Sequence, residues 1–302
     1  MKKRITIFAH FDKDNIIDDY VIHYLLELKK ISEKIIFVSD SNLDEVEKNK
    51  LSKICCDVLA LKHGEYDFGS YKRGFFLLKS KYDQEFSQID EVVFANDSCY
   101  LIRDFETVFL EMEKRSDDFW GIAESFQHGY NHLHSYFMVF RSQILQSKVF
   151  DEFLSEVKIE KSHKEIIVKY EVGLSKILVE SGFKMGSLCG KTSVDDIGNK
   201  KGITFLISQK AYPFLKIKPF ISGYVAPDQF IDLVEKKIFS MILNNLTRRI
   251  GASELIKSYS ILKHHDRFFI HKKLFLLRFK NHYLILKLFC LKILKINLNN
   301  WS

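Results

Sequence analysis

Proline is scarce, with 3 among 302 residues, at Pro213, Pro219 and Pro227. Turns in the first 212 residues must therefore rely on Gly, Asn, Asp and Ser. Cysteine is scarce too: Cys55, Cys56, Cys99, Cys189 and Cys290 form an odd set without C-x-x-C spacing. That argues against a disulfide framework or a cysteine zinc site and favours a reducing cytosol. Long apolar runs are missing as well. The longest stretch free of Asp, Glu, Lys and Arg is Ser125–Phe140, which holds three histidines, and the run that follows Met1-Lys2-Lys3-Arg4 stops at His10. Neither a transmembrane helix nor a secretory segment is expected. No G-x-G-x-x-G follows the first strand-like run, and the Gly69 to Gly74 spacing leads into Phe75-Phe76 where a P-loop needs Lys and Ser or Thr. A dehydrogenase and a P-loop NTPase are thereby disfavoured. The absence of G-x-S-x-G disfavours a serine nucleophile elbow.

With 46% hydrophobic and 28% charged residues, the chain has the composition of a globular protein. Its net charge of +7 is unevenly spread. Residues 1–205 carry 29 basic and 34 acidic side chains, whereas 206–302 carry 17 and 5. Two regions are expected on that basis, 1–205 and a basic, mainly helical 206–302.

Apolar, β-branched runs at Arg4–Phe11, Lys34–Ser39, Cys56–Leu61 and Asp90–Ala95 alternate with helical spacing at Asn15–Lys30, Leu43–Ile54 and Lys72–Tyr82. Such alternation predicts an α/β fold, a mostly parallel sheet with helices on both faces. Further along, a helix is expected at Phe105–Lys114, strands at Phe119–Ala123 and His134–Arg141, and helices at Ser142–Val157 and Lys164–Ser181 with Gly182 as C-cap. Ligands of such sheets bind beyond the carboxyl ends of the strands. Polar residues collect there: His10 and Asp12, Ser39-Asp40-Ser41, His63 through Asp67, and Asn96-Asp97-Ser98. Solvated loops explain any one ending, but four together suggest a crevice.

Hard cations prefer carboxylate oxygens, and a diphosphate leaving group needs its charge neutralised, so Asp97 is placed to hold a divalent cation. Asn-Asp-Ser is equally a common turn sequence. Tyr66-Asp67-Phe68-Gly69-Ser70 offers a ring to stack on a base, a carboxylate for ribose or base, and a glycine for close approach, while Ser70 is also a reasonable helix cap. Glu171, in a helical run, is a candidate general base for a sugar hydroxyl, or simply a surface glutamate. His128, His132 and His134 match neither H-E-x-x-H nor a zinc-finger spacing.

Taken in order, FAHFDKDN (8–15), EYDFGSYKRG (65–74), ANDSCY (95–100), DFWGIAES (118–125), HLHSYFMVF (132–140) and YEVGLSKILVESGF (170–183) resemble the rhamnan synthesis F family of bacterial surface-polysaccharide glycosyltransferases. The resemblance implies a GT-A-like, Rossmann-like sheet that binds a nucleotide-sugar. It implies that Asn96-Asp97-Ser98 stands where such enzymes carry a metal-binding D-x-D, with Asp97 on Mg2+ or Mn2+, and that Glu171 is the base of an inverting transfer. Donor contacts would come from His10, Asp12, Asp40, Tyr66, Asp67, Lys72, Asn96 and Ser98. Trp120, His132, His134 and Tyr136 would face the acceptor, a lipid-linked surface polysaccharide or lipopolysaccharide, with rhamnose a candidate sugar.

Residues 267–302 hold eight basic and no acidic side chains, interleaved with Phe, Leu and Ile. This suits a helix in the interface of an anionic membrane, so 250–302 are expected to dock the protein at the cytoplasmic face. A packed helical pair with a basic face is the plainer reading. RNA binding is disfavoured because no RNA-binding module accompanies the charge. The rival to an enzyme is a non-catalytic, membrane-associated scaffold that keeps the fold.

Overall fold

The computed structural model describes residues 2–192 and 200–258, and the backbone of 275–280, 283–288 and 291–297. It forms two compact units, Met1–Val225 and Ala226–Ser302.

In the first unit, strands β1 (Arg4–His10), β2 (Lys34–Ser39), β3 (Asp57–Ala60) and β4 (Glu91–Asn96) alternate with helices α1 (Asp19–Ile31), α2 (Glu45–Asn49), α3 (Tyr66–Lys81) and α4 (Asp83–Phe86). There follow β5 (Cys99–Leu101), α5 (Glu106–Glu113), β6 (Phe119–Gly121), the short β7 (Glu124–Ser125) and β8 (His132–Leu133), and β9 (Phe137–Arg141). Helices α6 (Ser142–Leu145), α7 (Lys148–Ser155), α8 (His163–Ile166) and α9 (Gly173–Glu180) lead to β10 (Met185–Ser187), and later to β11 (Phe214–Lys216). The seven-stranded sheet has the order β10-β6-β9-β4-β1-β2-β3. All its pairings are parallel except those of β9, which runs against both β4 and β6. This is the mixed α/β, mostly parallel architecture expected from the alternating runs.

Every residue of β1 and β4 is buried, as strands at the centre of such a sheet should be, including the charged Arg4 and Glu91 at their starts. The parallel register sets His10 beside Ser39 and Ala9 beside Asn96, so the polar endings meet at one edge. The reversed β9 pairs Phe137 with Ala95, and so delivers His134, Ser135 and Tyr136 to that same edge. The β5–β11 pair, with Lys216 opposite Cys99, lies against the turn that follows β4.

Several boundaries differ from the sequence reading. Helix α3 begins at Tyr66, not Lys72, and Ser70 lies inside it rather than capping it; its hydroxyl bonds His63 Nε2 at 3.0 Å. The single helix expected over Ser142–Val157 is two, because Ser147 turns its hydroxyl onto the Phe150 amide and starts α7. Gly182, at φ +92°, follows α9 as expected, with the Phe183 amide reaching the Leu178 carbonyl in a Schellman closure. The first unit runs on to Val225 because β11 pairs with β5, so 206–225 fold with the unit that the charge count had ended near 205.

Among the described residues, the basic C-terminal region holds strands as well as the expected helices. Helices span Lys236–Ile250 and Ala252–Ser258, but Phe275–Lys280, Tyr283–Leu288 and Leu291–Asn297 form a three-stranded antiparallel sheet. The Phe, Tyr and Ile residues in these segments favour strands. The remainder of 259–302, and the side chains on which membrane docking depends, lie outside the described residues. Among the described residues, no helix is long and apolar enough to cross a membrane.

Helix α3 packs closely on β1 at Gly74. A Cβ there would lie 2.3 Å from Ile7 Cγ2 and 3.3 Å from Val38 Cγ2. Gly74→Ala is expected to destabilise the protein by a net of about 1–2 kcal/mol, because overpacking exceeds the helix preference for alanine. Urea unfolding followed by circular dichroism measures it, and an unchanged midpoint would contradict this packing.

Candidate functional site

The polar strand-end residues gather beyond the carboxyl ends of β1, β2 and β4. His10 is buried, with Nδ1 2.8 Å from the Ser39 hydroxyl and Nε2 3.9 Å from Asp97 Oδ2. The Phe11 amide donates to the same Asp97 oxygen at 3.1 Å, and the Tyr20 hydroxyl holds the Asp97 carbonyl at 3.0 Å. Asn96 organises the turn: its Oδ1 accepts the Ser98 amide at 3.1 Å and hydroxyl at 2.6 Å, while its Nδ2 donates to Asp67 Oδ2 at 3.1 Å. Burial, reinforced by the negative charge of Glu171, raises the pKa of Asp67. Tyr66 is half-exposed and in the left-handed region at φ +57°, a costly conformation for a tyrosine.

On the other wall, Glu171 projects from a π-helical turn, Ile167–Val172, between α8 and α9. Such turns insert a residue and redirect side chains, often at functional sites. Here Tyr170 packs on Phe68 and Phe153, and Glu171 faces β8 and β9. Glu171 Oε2 accepts the Ser135 amide at 3.0 Å, and Oε1 lies 3.6 Å from His132 Nε2 and 3.4 Å from His134 Nδ1. Burial works to raise its pKa, but the close His132 and His134 rings and the Ser135 amide outweigh it and hold the carboxyl well below its usual range. Burial likewise opposes charge on His132, yet Glu171 and the Tyr130 carbonyl prevail and raise its pKa. That carbonyl can only accept, so His132 Nδ1 is the donor across their 2.8 Å contact. His134 is more open than His132, and its ring stacks on Tyr136.

Asp12, Asp40 and Lys72 are engaged within the protein. Asp12 accepts the Asp14 and Ile16 amides at 2.9 and 3.3 Å, shaping the loop after β1. Asp40 accepts the amides of His63 and Gly64, tying β2 to the loop before α3. Lys72 donates to the Val157 carbonyl at 2.7 Å. Trp120 is a correction: it is buried in the core against Phe109 and Phe137, because β6 is an inner strand of the sheet, and it does not face an acceptor. Tyr136 is also buried, its hydroxyl 3.2 Å from that of Tyr212. Lys216, unread in the sequence, stands over the Tyr136 ring at 3.9 Å.

For a divalent cation, this edge supplies Asp97, with one carboxylate oxygen already accepting an amide. Among the described residues, no three His, Cys, Asp or Glu side chains converge to hold a metal ion. The donor set therefore does not make a protein-built metal centre.

A model of the family described as rhamnan synthesis protein F matches residues 35–278. A curated relative, an uncharacterized protein (y4gN) of Sinorhizobium fredii, is 26% identical over 171 residues, 54% of this chain and 43% of its own length. The chain thus spans less than half of that relative. Similar solved structures include a cytidylyltransferase from Leptospira borgpetersenii, 15% identical with a TM-score of 0.43, covering 89% of this chain and all of its own. Another is a putative nucleotide-diphospho-sugar transferase from Desulfovibrio desulfuricans G20, 11% identical with a TM-score of 0.39, covering 83% and 99%.

Proposed function

Because the chain belongs to the rhamnan synthesis protein F family, we propose that it is a glycosyltransferase that moves a sugar from a nucleotide diphosphate donor to a hydroxyl of a surface glycan. The observation that carries this reading is the meeting of Asn96-Asp97-Ser98 and Asp67 with the Glu171–His132–His134 cluster at one sheet edge. The donor nucleotide lies along the ends of β1, β2 and β4, with Tyr66 and Asp67 at base or ribose. The acceptor enters on the His134 side.

Glu171 was expected to be the base, but its carboxylate is already engaged by the Ser135 amide and flanked by the His132 and His134 rings. His134 is the better placed. With Nδ1–H directed at Glu171, its Nε2 keeps a lone pair, and no hydrogen bond occupies that atom among the described residues. Glu171 then orients His134, while His132 compensates its charge. In the transfer, the acceptor oxygen attacks the anomeric carbon and its proton passes to His134 Nε2. The bond from that carbon to the diphosphate breaks, and the nucleoside diphosphate leaves with the electron pair. In-line attack from the face opposite the leaving group inverts the anomeric centre. A divalent cation of the kind the resemblance implies would depend on substrate oxygens for most of its shell.

The acceptor in this reading is a lipid-linked polysaccharide at the cytoplasmic face of the membrane, with rhamnose as a candidate sugar. The family description and the basic charge of 206–302 support it. Calorimetric titration of the full chain with a panel of nucleotide-sugars tests the donor half. Binding of at least one is expected, and weaker binding after Asp97→Ala; a non-catalytic scaffold would bind none.

A further inference from the structure

We propose that Lys216 is the protein's own cation for the leaving diphosphate, a role that rests on the nucleotide-sugar reading of the crevice. Strand β11 fixes its place: Lys216 pairs with Cys99, and the next amide, Ile217, donates to the Ser98 carbonyl at 3.0 Å. The lysine is therefore anchored against the Asn96-Asp97-Ser98 turn, 115 or more residues away in sequence. Its ammonium sits 3.9 Å above the Tyr136 ring, and the Tyr136 carbonyl accepts the Asn96 amide at 3.2 Å, so one residue links the cation to the turn.

Lys216 has no carboxylate partner among the described residues, although it stands over a buried aromatic ring beside the strand ends. Lys2, Lys34 and Lys169 each lie within ion-pair distance of Glu91, Glu85 and Glu160. Lys216 makes no ion pair or hydrogen bond among the described residues and is held by the aromatic face alone. An aromatic face attracts a cation without cancelling its charge. Asp67 feels that charge, which opposes the effect of burial on its carboxyl. A half-buried, uncompensated ammonium beside a turn at the strand ends is suited to phosphate oxygens. It also answers the thin donor set at Asp97: negative charge building on the diphosphate as its bond to the sugar breaks meets a fixed cation whether or not a metal is present.

The test is calorimetric titration of the full chain with inorganic pyrophosphate and with UDP, GDP and dTDP, in EDTA and again in Mg2+. Wild type, Lys216→Met and Lys216→Arg are compared after circular dichroism and thermal melts show them equally folded. Wild type should bind in EDTA, Lys216→Met should bind about tenfold or more weakly, and Lys216→Arg should stay within about threefold of wild type. Equal binding by Lys216→Met and wild type would overturn the assignment while leaving the nucleotide-sugar reading intact. A loss seen only in Mg2+ would also overturn it. If wild type binds neither pyrophosphate nor any nucleoside diphosphate in either buffer, the crevice reading itself fails.

Discussion

Glu171→Gln is expected to slow sugar transfer by about 10²–10⁴-fold while leaving donor affinity within about twofold, because the change removes the partner of a general base and no donor contact. The neutral amide cannot hold His134 through a charged contact at Nδ1, and it leaves the buried His132 without its counter-charge. His134→Gln should cost a similar factor. The double variant should cost little more than either single change, since residues that act as one unit are not additive. The pH profile separates orientation from mere structure. A profile unchanged by His134→Gln would return the proton to Glu171 itself. The same cluster contributes to stability with a defined sign. Glu171 has a depressed folded pKa, so its contribution is present above the unfolded carboxyl value and lost as pH falls through the lower folded one. His132 has a raised folded pKa, so its contribution is complete below the unfolded imidazole value and lost as pH rises through the higher folded one. The pair is therefore strongest in mildly acidic solution.

The largest stability effect is expected at the opposite edge of the sheet. Arg4 and Glu91 are 3% and 1% exposed and face each other across β1 and β4, with Arg4 Nε donating to Glu91 Oε2 at 2.8 Å. Lys2 adds a contact to Glu91 at 2.6 Å, and Arg4 reaches Glu113 at 3.0 Å and the Ile31 carbonyl at 2.9 Å. Glu91→Ala takes away the buried partner of Arg4 and leaves it only the partly exposed Glu113, which should cost about 3 kcal/mol. Replacing Arg4 and Glu91 together with Met and Leu should cost much less, because no buried charge is left unpaired. Urea unfolding measures both. Transfer activity per folded molecule should be unchanged, since this network lies at the amino ends of the strands whose carboxyl ends form the crevice.

The sheet was legible because its central strands are short and rich in apolar, β-branched residues, and parallel strands buried on both faces leave that signature. The strand-end residues were legible for the same reason, as each run stops at a polar group: His10, Ser39, Asn96. What the sequence hid depends on long-range pairing. Strands β5 and β11 have three residues each, too few for a periodic signal, so nothing linked Lys216 to Cys99. The charge count, by ending the first region near 205, assigned Lys216 to the wrong one. Trp120 sits in a motif with polar neighbours, yet β6 is an inner strand and its ring goes to the core. Glu171 was found, but its π-helical setting was not, because a one-residue insertion in a helix leaves the surrounding spacing almost unaltered. Its proposed role moves from base to orienting partner because two histidines and an amide meet on one carboxylate.

The central claim is that this crevice transfers a sugar from a nucleotide diphosphate donor. Incubating the full chain with a panel of nucleotide-sugars and lipid-linked glycan acceptors, and reading the products by mass spectrometry, tests it most directly. The account predicts an acceptor heavier by one sugar residue, an equal amount of free nucleoside diphosphate, and loss of both with Glu171→Gln. Donor binding without any product, or product formation unaffected by Glu171→Gln and His134→Gln together, would contradict it.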